Sequence, residues 1–233
     1  MKYIKPEDVS KITNYLIKYK DEVYNYEWSI SDLTVNKLNK ILNQKIKLST
    51  PKGFNGAVQL KEILGKTSLL NHEKYKEISE WIVKDWGGIH RGNNEKLFKL
   101  VENFKIKNEV TFERISSISK IISFDNPQKY VIYDSRVAYA INWVIQETEA
   151  GNKFFPIAPG RSFNLKKFYT ENLACLDRKK NIKEKKNLFI PKDDTYYEFN
   201  KLICKINKII YPSKEPFYTE MLLFGLANKF ARQ

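Results

Sequence analysis

Cysteine and histidine are scarce in this chain, with two of each in 233 residues. Cys175 and Cys204 cannot supply a disulfide framework, and both are expected to be reduced and buried. His72 and His90 do not fall at a metal-ligand spacing and have no Cys/His cluster around them, so neither zinc nor a four-cysteine iron–sulfur cluster is expected, and no cofactor is assigned. Long apolar runs are missing as well. No uncharged stretch approaches a membrane span of about 20 residues, and Met1-Lys-Tyr-Ile-Lys-Pro lacks the apolar core of a signal peptide. The expectation is a cytoplasmic, monomeric protein with no membrane partner.

Acidic residues are in short supply: 27 Asp+Glu stand against 41 Lys+Arg, for a formal charge of +14 and a pI near 9.5. That balance fits a polyanion binder, with nucleic acid the leading partner. No acidic cluster on predicted strands suits a two-metal nuclease. Arginine is rare, with six among the basic residues. Abundant Lys, Ile and Asn follow the coding bias of an A+T-rich genome, so an arginine retained against it points to a need for its planar, bidentate fork. Arg91, Arg136 and Arg161 lie in segments singled out on other grounds.

With 42% hydrophobic and 14% aromatic residues, the chain can bury a large core as one domain or two small lobes. Helical periodicity dominates. Pro6-Glu7-Asp8 has the proline and acids of a helix start, and Val9, Ile12, Leu16 and Ile17 follow at helical spacing. Helices are predicted over 6–20, 35–45, 57–64, 72–84, 95–104, 110–124, 135–147, 165–173, 195–210 and 218–230, with few convincing strands. The fold class is all-α. Pro/Gly clusters at 49–56, 86–88 and 155–160 read as loops with defined turns, and the basic run 177–187 as a solvated loop.

Two helix starts carry the chemistry. Arg114-Ile-Ser-Ser-Ile-Ser-Lys120-Ile-Ile-Ser-Phe is followed by Pro127-Gln-Lys-Tyr-Val-Ile-Tyr-Asp134-Ser-Arg136-Val, with Lys120 and Asp134 fourteen residues apart. Helix N-termini are electropositive and hold carboxylates and phosphates. Asp134 before Ser-Arg-Val also reads as an ordinary N-cap. On a continuous helix Phe112, Ile115, Ile118 and Ile122 make one apolar face, from whose centre Lys120 points away, which predicts that Lys120 is not a core residue.

The segment resembles the helix-hairpin-helix DNA glycosylases, in particular the 8-oxoguanine glycosylase branch and its divergent bacterial relatives. The likeness covers residues 110–145 and, beyond them, only the order of helices. In that family a lysine sits on the helix after the hairpin and an aspartate opens the next helix, after a short apolar run containing proline. Ser119-Lys120 and Tyr133-Asp134-Ser135-Arg136-Val137 occupy those positions. The family's glycine-rich hairpin is replaced by Ile115-Ser116-Ser117-Ile118-Ser119, which has no glycine to supply a positive φ.

The resemblance implies a two-lobed helical body, with one lobe from 1–105 and 193–233, a hairpin-like lobe from 106–176, and a cleft between. It implies duplex DNA with a flipped modified base as partner. Lys120 would be the nucleophile on the sugar, through a Schiff base that can lead to strand cleavage, and Asp134 would stabilise the sugar cation. Ser117 and Ser119 would lie at the hairpin's DNA contact. A non-catalytic DNA-binding or modification-recognition protein on the same scaffold is the alternative.

Trp86-Gly87-Gly88-Ile89-His90-Arg91-Gly92 admits two readings. Backbone amides at the glycines could converge on an anion while Trp86, His90 and Arg91 stack on or wedge a displaced base; equally, the glycines could cap the preceding helix over a core Trp86. Phe154-Phe-Pro-Ile-Ala-Pro-Gly160-Arg161 could bring Arg161 to the cleft, though such runs are more often packed crossovers. Glu220, in an apolar closing helix, is expected to be structural and to meet an arginine.

Overall fold

The computed structural model describes residues 1–50, 52–90, 92–158 and 188–232. The fold is all-α: among the described residues there is no strand, only isolated bridges between Ser29 and Lys52 and between Phe154 and Phe189. The helices are α1 (Pro6–Ile17), α2 (Asp32–Leu42), α3 (Gly53–Gly65), α4 (Tyr75–Glu80), α5 (Asn94–Lys107), α6 (Ile115–Asp125), α7 (Ser135–Glu147), α8 (Lys192–Ile210) and α9 (Phe217–Phe230). No helix among the described residues is long and apolar enough to cross a membrane.

Local chemistry sets most of these boundaries. Pro6 opens α1, with Glu7 and Asp8 in its first turn. Ser31 caps α2 by accepting from the Thr34 amide, which starts that helix before the predicted residue 35. Asn93 caps α5 in the same way through Lys96 N, and Asn108 ends it in the left-handed region at φ 53°. The helix predicted over 110–124 begins only at Ile115. Asn108 and Arg114 both have positive φ, so the apolar spacing of Val110 and Phe112 belongs to a connecting loop. The helix predicted over 165–173 lies outside the described residues.

The helix predicted over 72–84 runs from Tyr75 to Trp86 and changes type midway. After α4 the chain widens into a π-helical turn, Trp81–Trp86, where the Gly87 amide bonds to Ile82 O at 2.9 Å. Gly88 then turns the chain at φ 67°, and Ile89 N bonds to Val83 O at 3.0 Å. This is the glycine-capped reading of the Trp86 segment.

Two helices are central. In α6 every residue from Ser117 to Phe124 is buried, and in α9 Phe217 to Leu223 are buried. α9 packs on α7, α8 and the 3-10 segment Lys20–Asn25, α3 packs on α6, and α1 crosses α7 and α8. A helix surrounded on all sides has no solvent face, so its polar residues must find partners inside.

Candidate functional site

Between α6 and α7 residues 130–134 run extended without a strand partner, and their backbone groups are satisfied by side chains from three helices. Val131 N donates to Asn200 Oδ1 at 2.8 Å and Val131 O accepts from Tyr196 Oη at 3.0 Å, both on α8. Ile132 N donates to Glu220 Oε2 of α9 at 3.4 Å. Tyr133 N donates to Ser119 Oγ of α6 at 3.0 Å. A buried amide left unpaired costs roughly 1–3 kcal/mol, so these contacts fix where the segment delivers Asp134.

Asp134 is the N-cap of α7. Its Oδ1 accepts from Arg136 N at 3.0 Å and from Val137 N at 3.1 Å. Both bonds fall on one oxygen, so capping takes half of the carboxylate. The residue is 9% exposed.

Lys120 departs from its expected placement. It is 6% exposed, and its Nζ donates to Ser116 O at 3.1 Å. The periodicity argument assumed that α6 has a wet face, whereas the helix is enclosed. Burial pushes the ammonium below its ordinary range; the negative charges of Asp134 and Glu220 pull it back up, and Arg136 and Lys61 oppose them. The aliphatic stem is housed by Gly87, where an added Cβ would lie 3.0 Å from Lys120 Cδ and 2.8 Å from two backbone oxygens. Gly87 therefore makes room for the lysine, while Gly88 serves the turn.

The remaining sequence candidates divide. Arg136 is half-buried beside the centre, with its guanidinium carbon 4.6 Å from the Phe224 ring centroid and its Nε buried without a partner. Ser119 is fully buried and bonded to Tyr133, and Ser117 is buried too, so neither hydroxyl lies at the surface. Trp86 is packed in the core between Phe124 and Trp28, with ring centroids at 4.8 and 5.7 Å, so it is not an exposed wedge. His90 is exposed. Arg91 and Arg161 lie outside the described residues, as does Cys175, while Cys204 is half-buried rather than buried. Phe155 is fully buried, its amide and carbonyl both bonded to Asn142 at 2.8 Å, so this part of the aromatic run is a packed crossover.

The structure adds residues that the sequence reading passed over. Trp28 and Phe224, both half-buried, meet edge to face at 5.8 Å, and Trp28 Nε1 bonds to Trp86 O at 3.1 Å. Tyr26 packs on Phe224 at 5.2 Å, and burial, reinforced by the charges of Glu220 and Asp134, raises its phenol well above the ordinary value. Glu220 meets Lys61 rather than an arginine, at 2.7 Å, with both side chains 1% exposed. Lys61 left a signal: it shares the helical spacing of Ala57, Leu60 and Leu64.

The segment 115–119, where the hairpin glycines were missed, is the first part of α6, and the positive φ falls ahead of it, at Arg114, which adopts φ 56° and donates to Asn93 O. Ordinary side chains rarely take that conformation. Its guanidinium fills the space beside Gly92, where a Cβ would collide with Nη2.

A groove of about 630 Å³ lies elsewhere, lined by Lys76, Glu95, Phe98, Lys99, Glu102 and Asn103. Its mixed charge does not suit a polyanion. Among the described residues no group of three or more His, Cys, Asp or Glu could hold a metal ion. No family model, curated protein or solved structure matches the chain.

Proposed function

We propose that this protein binds duplex DNA and cleaves the N-glycosidic bond of a flipped, modified base, on a two-lobed scaffold of the helix-hairpin-helix glycosylase type. The observation that carries the reading is Lys120: an enclosed amine, depressed by burial, on a helix tied through Ser119 to the residue before Asp134. An amine nucleophile must be neutral to attack the sugar C1′, and burial favours the neutral form. Asp134 keeps one carboxylate oxygen outside its capping bonds, available to the positive charge that develops on the sugar. The net charge of +14 supplies attraction for the phosphate backbone.

The test is incubation with duplexes carrying single lesions, modified bases or abasic sites, with borohydride present to trap a Schiff base. Covalent trapping in the wild type and none in Lys120→Gln supports the reading. Absence of base release and trapping on every duplex removes it.

A second reading, a non-catalytic protein that recognises DNA structure or modification on the same scaffold, is favoured by one observation. With Lys120 6% exposed and bonded to its own helix, Nζ meets a sugar only after its neighbours shift. Duplex binding that discriminates modified bases, without release or trapping, selects this reading.

A further inference from the structure

Lys61 and Glu220 are an ion pair in the interior, and their surroundings do not call for charge. The Lys61 ammonium lies 5.7 Å from the Phe124 ring centroid and 5.1 Å from that of Phe217, at a contact between α3, α6 and α9 that could be filled by apolar groups. Replacing a buried pair by apolar residues of similar size is often neutral or stabilising. A pair kept in such a place invites a role besides stability.

Its geometry supplies one. The oxygen of Glu220 that meets Lys61 also accepts from Ile132 N, two residues before Asp134. Of the charged groups facing Lys120, Asp134 and Arg136 come from the start of α7, Glu220 from α9 and Lys61 from α3. Gly87, which follows the Trp81–Trp86 turn, lies against the Lys120 stem. Among the described residues, Glu220 thus both holds the Asp134 segment and places a negative charge toward Lys120.

We propose that Glu220, anchored by Lys61, is a positioning residue of the Lys120–Asp134 centre, fixing the extended segment through Ile132 and supplying a second negative charge to Lys120. The inference rests on the reading of Lys120 and Asp134 as the reactive pair. Burial raises the Glu220 carboxyl above its ordinary value, and Lys61, which orients the carboxylate, works against that rise. Glu220 itself touches neither sugar nor base.

The test uses the full chain as wild type, Glu220→Gln and the double variant Lys61→Met/Glu220→Gln. Glutamine keeps an acceptor for Ile132 N and removes the charge; the double variant also removes the lysine that would otherwise be left unpaired. Two measurements are made across pH: acylation of Lys120 by acetic anhydride, followed by peptide mass spectrometry, and borohydride trapping on an abasic duplex.

In Glu220→Gln the Lys120 acylation midpoint is expected to move to lower pH by about one unit, a tenfold change in the neutral fraction where the ammonium dominates. The double variant should move in the same direction by less, because the loss of Lys61 acts oppositely. Trapping profiles should follow the acylation profiles.

An unmoved Lys120 profile in folded variants overturns the proposal and leaves the pair purely structural. Failure of the double variant to fold, with no unpaired charge left to blame, overturns it also. If the wild type acylates with the expected shift between variants but never traps DNA, the glycosylase reading falls and the link from Glu220 to Lys120 stands.

Discussion

Ser119 Oγ accepts the Tyr133 amide proton at 3.0 Å, and thereby joins the turn of α6 that carries Lys120 to the residue that precedes Asp134. The same hydroxyl lies 3.4 Å from the Tyr133 carbonyl. Among the side chains that fix this segment, Ser119 is the one that comes from the helix of Lys120 itself. Ser119→Ala should leave a buried amide unpaired and cost roughly 1–3 kcal/mol in denaturant unfolding. Trapping on abasic DNA should fall by more than the unfolded fraction explains. Equal losses would reduce Ser119 to a purely structural contact.

Asp134 allows its capping role to be separated from its charge. Asn at this position keeps an acceptor for the Arg136 and Val137 amides, so Asp134→Asn should melt close to wild type while base release drops by orders of magnitude. Asp134→Ala should lose about 1 kcal/mol as well. Unchanged release by Asp134→Asn on a confirmed substrate would leave Asp134 as a cap alone.

Lys120 should reduce stability at neutral pH. Its ammonium is depressed by burial from an ordinary value of 10.5, so the unfolded chain binds the proton more tightly than the folded one. The penalty is fully present below the folded value and fades as pH rises toward 10.5. Lys120→Met should therefore raise the urea midpoint at pH 7, and the advantage should shrink at alkaline pH. A variant less stable than wild type at pH 7 would contradict this account.

Gly87→Ala should disturb the lysine from the opposite side. A methyl group there lies within 2.8 Å of the Ile82 and Val83 carbonyl oxygens and 3.0 Å of Lys120 Cδ, so backbone or lysine must move. A lowered melting temperature together with a changed Lys120 acylation rate is expected. Gly88→Ala, where a Cβ meets nothing within 4 Å but φ is 67°, should cost stability through backbone strain and leave Lys120 acylation unaltered.

Binding to duplex DNA should weaken steeply with salt, because each phosphate neutralised by lysine or arginine releases counterions. The slope of log affinity against log salt is the measurement. A flat slope, or no binding at low salt, would remove the nucleic-acid reading. Substitution of Arg91 or Arg161 by alanine should weaken binding more than substitution of a lysine in the 179–186 run.

The helices were legible because their signals are local. Pro6 with Glu7 and Asp8, Asp134 before Ser135, and the apolar spacing of Val9, Ile12 and Leu16 each act within one or two turns. Boundaries failed where local patterns overlapped: Val110 and Phe112 continue the spacing of α6, yet the positive φ of Arg114 ends the helix before it reaches them. The π-helical turn before Gly87 was not legible either, since one widened turn leaves the apolar spacing nearly intact.

By itself the sequence determined the excess of positive charge, the all-α class, and the cap that places Asp134 at a helix start, because each depends on composition or on neighbours in the chain. The tertiary structure decided which of these residues share an environment. Lys120 looks like a surface residue from its own helix and becomes enclosed only because α3, α5 and the Trp81–Trp86 turn pack around α6. Lys61 and Glu220, 159 positions apart, become partners only when α3 meets α9. Burial and long-range pairing are properties of the whole fold, so the electrostatics that make Lys120 a candidate nucleophile could not be read from the residues beside it.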